Sequence, residues 1–229
     1  MALIEKAKGR RKDQTPSGYT RLFGIQDLGI LISRIQATVI SSGTELEKLI
    51  WDRVNQIKNL DEFVANTMYK PMENIWVARK EEIKRSKIVV SKYNPDFIAI
   101  DSTKRTCYVI EIKDGDQFDT KKANSEYTAL HSFSTDISQV LPFSTQVYLC
   151  SFNAKTKDDI YNGLKRKFPI TELITGKELC TKLLNIDFYD IVETRTKHQQ
   201  DNLNYFVKEL LSIKEIRAII IKLLKYFND

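Results

Sequence analysis

One short segment, residues 107–113, constrains the fold of this chain more than any other. Its sequence, CYVIEIK, is that of an apolar strand that ends in two opposite charges. Side chains alternate between the two faces of a β-strand, so Glu111 and Lys113 share one face with Val109. Burying either charged group without a partner costs much free energy. The end of this strand is therefore either a structural ion pair or a functional site.

A second predicted strand, residues 95–100, precedes the first. It reads PDFIAI, and the polar residues 101–104 that follow it are typical of a turn. A hairpin that joins the two strands brings Asp96 close to Glu111. Two carboxylates beside a lysine form the oxygen-rich kind of site that Mg²⁺ and Mn²⁺ prefer, and Lys113 lies within reach of a water molecule and a phosphate there. The pattern indicates metal-assisted hydrolysis of a phosphodiester.

Hydrophobic periodicity predicts helices on both sides of this hairpin. The helices are expected over residues 22–40, from Thr44 onward, and over 60–68, 120–137, 158–167 and 203–227, the last with a break near Ser212. Further strands are expected over 87–90 and 145–151. Residues 41–44 interrupt the first helix, and Thr44 with Glu47 has the spacing of a capping box. This order of elements indicates an α/β domain with a helical C-terminal addition.

Pro95-Asp96, fourteen intervening residues and then Glu111-Ile112-Lys113 together resemble the signature of the PD-(D/E)XK nucleases, as in type II restriction endonucleases. The resemblance covers about residues 41–151. It implies an α/β fold with a restriction-endonuclease-like core, in which helices flank a mixed central sheet, and additional helices at the C-terminus.

The segment GTELE, residues 43–47, resembles the upstream helix of this family, in which a glutamate joins the metal site. Glu47 is the better match and Glu45 the second choice. The capping box is the alternative interpretation of Glu47.

The resemblance also implies a role for each site residue. Asp96, Glu111 and the backbone carbonyl of Ile112 would bind Mg²⁺, with Mn²⁺ able to substitute. Lys113 would orient the attacking water or stabilise negative charge that develops on the phosphate. Glu47 would bind a second ion or position the first through water. The catalytic set is thus Asp96, Glu111, Lys113 and Glu47. The implied reaction forms no covalent enzyme intermediate and leaves 5′-phosphate and 3′-hydroxyl ends.

The positive charge of the chain is concentrated in two blocks. The net charge is +6, and residues 1–22 and 79–92 each contain six basic and two acidic residues. Such blocks fit a polyanion such as DNA, although a solvated surface has the same composition. The candidates for DNA contact are Arg10, Arg11, Lys84, Arg85, Lys121 and Lys122.

Composition excludes several other classes of protein. Only two histidines and three cysteines are present, and the cysteines have no CxxC pairing. This composition disfavours zinc ribbons, disulfide frameworks and histidine-rich sites. No apolar run approaches the roughly 20 residues that span a bilayer, and no apolar core of a signal peptide is visible, so a cytoplasmic protein without a membrane partner is expected.

The expected organisation is a flexible basic arm over residues 1–20 and a single nuclease domain over 21–229. Within that domain, the core covers about 41–151 and a helical C-terminal part about 154–229. The expected function is sequence-specific cleavage of double-stranded DNA by a homodimer, since two copies of one site cut a symmetric sequence most simply. The resemblance also implies a cognate DNA methyltransferase as a companion.

Two alternatives remain open. A structure-selective DNA repair nuclease or a Holliday junction resolvase would need the same site chemistry. A non-catalytic DNA-binding module would use Glu111 and Lys113 only as an ion pair at the end of a strand.

Overall fold

The computed structural model describes residues 2–9, 15–115 and 120–227. The chain divides into two compact units. One unit consists of residues 1–42 together with 189–229, and the other consists of residues 43–188. No helix in the described part of the chain is long and apolar enough to cross a membrane.

Helices and strands alternate along most of the chain. The helices are α1 Leu3–Lys6, α2 Gly18–Phe23, α3 Gln26–Trp51, α4 Leu60–Tyr69, α5 Lys80–Arg85, α6 Thr120–Ser138, α7 Lys157–Gly163, α8 Gly176–Glu178, α9 Phe188–Ser212 and α10 Lys214–Phe227. The strands are β1 Asn55–Gln56, β2 Trp76–Arg79, β3 Phe97–Asp101, β4 Thr106–Lys113, β5 Ser144–Ser151 and β6 Leu173–Thr175. A 3₁₀ turn (Ile170–Glu172) and a π-helical segment (Leu179–Leu184) complete the set.

Within the described residues, six strands form one mixed sheet in the order β1-β2-β3-β4-β5-β6. Strands β2, β3 and β4 are antiparallel to one another, while β1 pairs with β2, β4 with β5, and β5 with β6 in parallel. The predicted α/β class, a mixed central sheet flanked by helices with more helices at the C-terminus, is confirmed.

The core of the second unit lies against the central strands. Every residue of β3 is buried, as expected for a strand with neighbours on both sides. Phe133 of α6 and Leu60 of α4 belong to the same cluster of buried side chains as Ile98 and Val109 of the hairpin. This packing fixes the β3–β4 hairpin in the middle of the sheet.

The first unit is helical. Leu28 and Leu31 of α3 are buried with Ile213, which lies between α9 and α10. Gly29 lies so close to Thr20 of α2 that a Cβ atom would come within 2.8 Å of the Thr20 backbone nitrogen. Only glycine allows the two helices to approach this closely.

The N-terminal segment predicted as a flexible arm contains α1 and the start of α2. Ile4 is buried, and its N–H donates a hydrogen bond to Asn202 Oδ1 at 3.1 Å. The prediction of a break near Ser212 is confirmed, since α9 ends there, although that helix begins at Phe188 and not near residue 203.

The strand predicted over residues 87–90 is wrong, because the neighbour of β3 is β2 instead. Asp61 accepts hydrogen bonds from the Ser86 hydroxyl and the Lys87 N–H, and the Ser86 hydroxyl accepts one from the Val89 N–H. Such local side-chain bonds give the backbone an alternative to a strand ladder.

The helix break predicted at residues 41–44 is also wrong, since α3 continues through them. The hydroxyls of Ser41 and Ser42 donate to the carbonyls of Thr38 and Val39 within the helix, so they do not act as caps. Thr44 lies inside this helix and is not its N-cap, so the capping-box interpretation of Glu47 is wrong.

Candidate active site

The hairpin brings Asp96 to the charged end of β4. Phe97 pairs with Ile110, so Asp96 lies where β3 begins, beside the strand end that carries Glu111. Asp96 Oδ2 accepts a hydrogen bond from the Ile112 N–H at 2.8 Å, and the Asp96 carbonyl accepts one from the Lys80 N–H at 3.0 Å. Backbone groups on two other segments therefore fix this residue.

Glu111 is buried, and both its carboxylate oxygens have a partner. Oε1 lies 2.6 Å from Lys113 Nζ, and Oε2 accepts a hydrogen bond from the Tyr93 hydroxyl at 2.5 Å. Burial, followed by the charge of Glu111, raises the pKa of Tyr93 far above its ordinary value of 10.0, so the hydroxyl remains a donor. The carboxylate is held in one orientation from both sides.

Lys113 has a second carboxylate partner, Glu126 on α6. Nζ lies 2.8 Å from Glu126 Oε1, so one ammonium group bridges two acidic side chains. Burial alone lowers the pKa of Lys113, but the charge of Glu111 and the hydrogen bonds to both carboxylates outweigh it and raise the pKa. Lys113 is therefore a fixed cation at neutral pH and not a base.

The surroundings of Asp96 disfavour its ionised form. Burial first, then the charges of Glu111 and Glu47, raise its pKa from 3.8 to about 7. The hydrogen bond from Ile112 and the charge of Lys113 act in the opposite direction and do not compensate. Ionising Asp96 in this buried position, beside Glu111 and Glu47, therefore costs more free energy than it does in water.

Glu47 is half-buried on α3, and its carboxyl senses the field of the site. Burial, then the charge of Glu111, raise its pKa above 4.5, while Lys80 and Lys113 act in the opposite direction. The Glu47 carboxyl therefore interacts electrostatically with Glu111 of the hairpin.

The donor set fits a divalent cation at Asp96 and Glu111. Across residues 2–9, 15–115 and 120–227, no three His, Cys, Asp or Glu side chains converge as a complete metal cage. Two carboxylates with a neighbouring backbone carbonyl, that of Ile112, match the oxygen donors that Mg²⁺ takes alongside water. A cation bound there would offset the cost of ionising Asp96, which burial and then the charges of Glu111 and Glu47 impose.

Comparison with known proteins identifies the family of the chain. The chain is 40% identical over 228 residues to the type II restriction enzyme HhaII of Haemophilus parahaemolyticus, covering 97% of this chain and 99% of that protein. The chain belongs to the type II restriction enzymes. The expectation of a type II restriction endonuclease is therefore confirmed, and the chain is a site-specific deoxyribonuclease. No family model and no solved structure matches the chain.

The basic residues proposed for DNA contact lie on different elements of this restriction enzyme. Lys84 and Arg85 are exposed at the end of α5, where Arg85 lies 3.9 Å from Glu82. Lys121 and Lys122 are exposed in the first turn of α6, the helix that carries Glu126. The two remaining candidates, Arg10 and Arg11, lie outside the described residues.

Two residues of the site, Tyr93 and Glu126, could not be predicted from the sequence. Tyr93 lies three positions before Asp96 in a segment without regular structure, and Glu126 lies on a helix thirteen positions after Lys113. No strand alternation or short motif links either residue to the hairpin. The only available signal is that Glu126 is the one acidic residue in the first two turns of α6.

Proposed function

We propose that this enzyme hydrolyses phosphodiester bonds of double-stranded DNA at a specific sequence, with Mg²⁺ as its cofactor and Mn²⁺ able to substitute. Asp96, Glu111 and the Ile112 carbonyl would hold the cation. The observation that carries the proposal is the pair of buried, mutually repelling carboxylates beside a fixed lysine in a chain of this family.

A bound Mg²⁺ would supply Lewis-acid polarisation of the phosphate and activation of water. The chain itself supplies position and charge. Ile112 and Lys80 fix Asp96, and Tyr93 fixes Glu111, so both carboxylates are oriented before substrate arrives.

Lys113 is proposed to orient the attacking water and to stabilise negative charge on the phosphate. Because the two carboxylates raise its pKa, it acts as a cation and a hydrogen-bond donor throughout the neutral range. In the proposed reaction water attacks the phosphate without a covalent enzyme intermediate. The products carry 5′-phosphate and 3′-hydroxyl ends, as the resemblance to the PD-(D/E)XK nucleases implies.

Glu47, on α3, is proposed to bind a second ion or to position the first ion through a water molecule. Its interaction with Glu111 supports this role. We also propose that the enzyme acts as a homodimer in the cytoplasm and that a cognate DNA methyltransferase accompanies it. The assignment to the restriction enzymes favours it over a repair nuclease, a junction resolvase or a non-catalytic module.

Incubation of the purified protein with unmethylated phage DNA and Mg²⁺ tests the proposal. Discrete bands are expected, together with their loss in Asp96→Ala and Lys113→Ala variants that still bind DNA. Lys104→Ala is the matched control, because Lys104 lies at the turn of the same hairpin, exposed and paired with Asp101. Intact DNA with the wild-type enzyme over a range of Mg²⁺ concentrations, or cleavage that survives the loss of Asp96, contradicts it.

A further inference from the structure

The contact between Lys113 and Glu111 obstructs the cation site proposed above. Nζ lies 2.6 Å from Glu111 Oε1, and the Glu111 side chain is only 8% exposed. An ammonium group so close to a carboxylate competes with a divalent ion for the same negative charge. For a cation to bind at full strength, Lys113 must have another acceptor.

Glu126 is that acceptor. Its Oε1 is already 2.8 Å from the same Nζ, so a small movement of the lysine side chain exchanges one carboxylate partner for the other. Glu126 lies on α6 and not on the hairpin, so it keeps its place when the charges around Glu111 change. Its side chain is 24% exposed, and this makes its own charge less costly to maintain than that of Glu111.

We infer that Glu126 is a positioning residue that draws Lys113 away from Glu111 and so frees Glu111 for the divalent cation. The inference rests on the proposed metal site at Asp96 and Glu111. In this arrangement Glu126 acts through Lys113 and does not itself bind the cation. Without Glu126, Lys113 pairs with Glu111 alone, and the cation must displace it.

The test is the affinity of the full-length protein for Mn²⁺ in the absence of DNA, measured by titration calorimetry and by the electron paramagnetic resonance of free Mn²⁺. Glu126→Gln should weaken binding about 10-fold, the range found when a group that orients a metal ligand is removed. Glu126→Asp keeps the charge on a shorter side chain and should weaken binding less. Glu172→Gln is the matched control, because Glu172 is 23% exposed, is also paired with a basic side chain, His131, and lies outside the site.

A double-variant cycle distinguishes positioning from direct coordination. In a Lys113→Gln background no ammonium group competes with the cation for Glu111, so Glu126→Gln should leave Mn²⁺ affinity unchanged. An equal loss of affinity in both backgrounds, or no loss in either, overturns the inference. Thermal unfolding of each variant shows whether it is folded, and Glu126→Asp carries the test if Glu126→Gln does not fold.

The outcome is also separable from that of the proposed function. If the wild-type protein binds no Mn²⁺, or if Asp96→Ala leaves its Mn²⁺ affinity unchanged, the proposed metal site is wrong. If it binds Mn²⁺ and cleaves DNA but the Glu126 variants behave like the wild type, only the role of Glu126 fails.

Discussion

Replacing Asp96 by asparagine should stabilise the metal-free enzyme while abolishing cleavage. Asparagine keeps an oxygen to accept the hydrogen bond from the Ile112 N–H. It carries no charge, so it avoids both the cost of burying a carboxylate and the repulsion from Glu111 and Glu47. Sites that are pre-formed for a ligand commonly reduce the stability of the free protein, and the raised pKa of Asp96 indicates such a penalty.

The size of the effect follows from the pKa. A rise from 3.8 to about 7, at about 1.4 kcal/mol per pKa unit, sets a ceiling of about 4 kcal/mol above neutral pH. Water and salt cations screen part of the repulsion, so about half of that ceiling is expected. For a chain of this size, about 2 kcal/mol corresponds to a rise in Tm of about 4–8 °C.

The sign of the pH dependence is fixed. In the folded state Asp96 retains a proton that the unfolded chain has already released, so wild-type stability falls as pH rises from about 4 to about 7. The gap in Tm between Asp96→Asn and wild type should therefore be small near pH 4 and largest above pH 7.

Thermal unfolding with EDTA across this pH range is the assay. Asp158→Asn is the matched control, since Asp158 is exposed on α7 and its replacement changes the net charge equally. Adding Mg²⁺ should raise the Tm of the wild type and not that of Asp96→Asn. A variant less stable than wild type at about pH 8, or a gap independent of pH, would refute the reasoning.

Two further variants test the support of the site and the core. Tyr93→Phe removes the donor to Glu111 Oε2 and should lower kcat/KM about 10-fold in a cleavage assay. Tyr148→Phe, which removes a hydroxyl that donates to Gln146, should leave kcat/KM unchanged. Equal rates for the two variants would show that Tyr93 has no role. Phe133→Ala should lower the free energy of unfolding by about 3–5 kcal/mol in a denaturant titration, because the ring is fully buried. Phe23→Ala is the control, since the Phe23 side chain is half-exposed. Equal losses of unfolding free energy in the two variants would contradict the description of the core.

The hairpin could be predicted from the sequence because its signals are local. Asp96, the turn at residues 101–104 and the alternation up to Lys113 all lie within one continuous stretch, and two-residue periodicity determines which side chains share a face. The role of β2 as the partner of β3 could not be predicted, because WVAR is too short to show a period and its pairing joins segments some twenty residues apart.

The wrong prediction of a break within α3 has a different cause. Serine, glycine and threonine are common at helix ends, yet hydroxyls can bond within a helix and tertiary packing can outweigh weak local propensities. Leu46 and Ile50 are fully buried in this helix, and their packing stabilises it beyond the interruption. Glu126 escaped prediction for a similar reason, since only the packing of α6 brings it to Lys113.

The backbone bonds around Asp96 have a consequence for how the enzyme comes into being. Lys80, Asp96 and Ile112 belong to three stretches of chain about sixteen residues apart, and two hydrogen bonds join them. The isolated hairpin lacks the first of these bonds, and an unfolded chain lacks both. The arrangement therefore forms only when the central strands have paired, so a newly made chain lacks the proposed cation site until it has folded. For a cell whose own DNA is a potential substrate, cooperative folding is itself a safeguard.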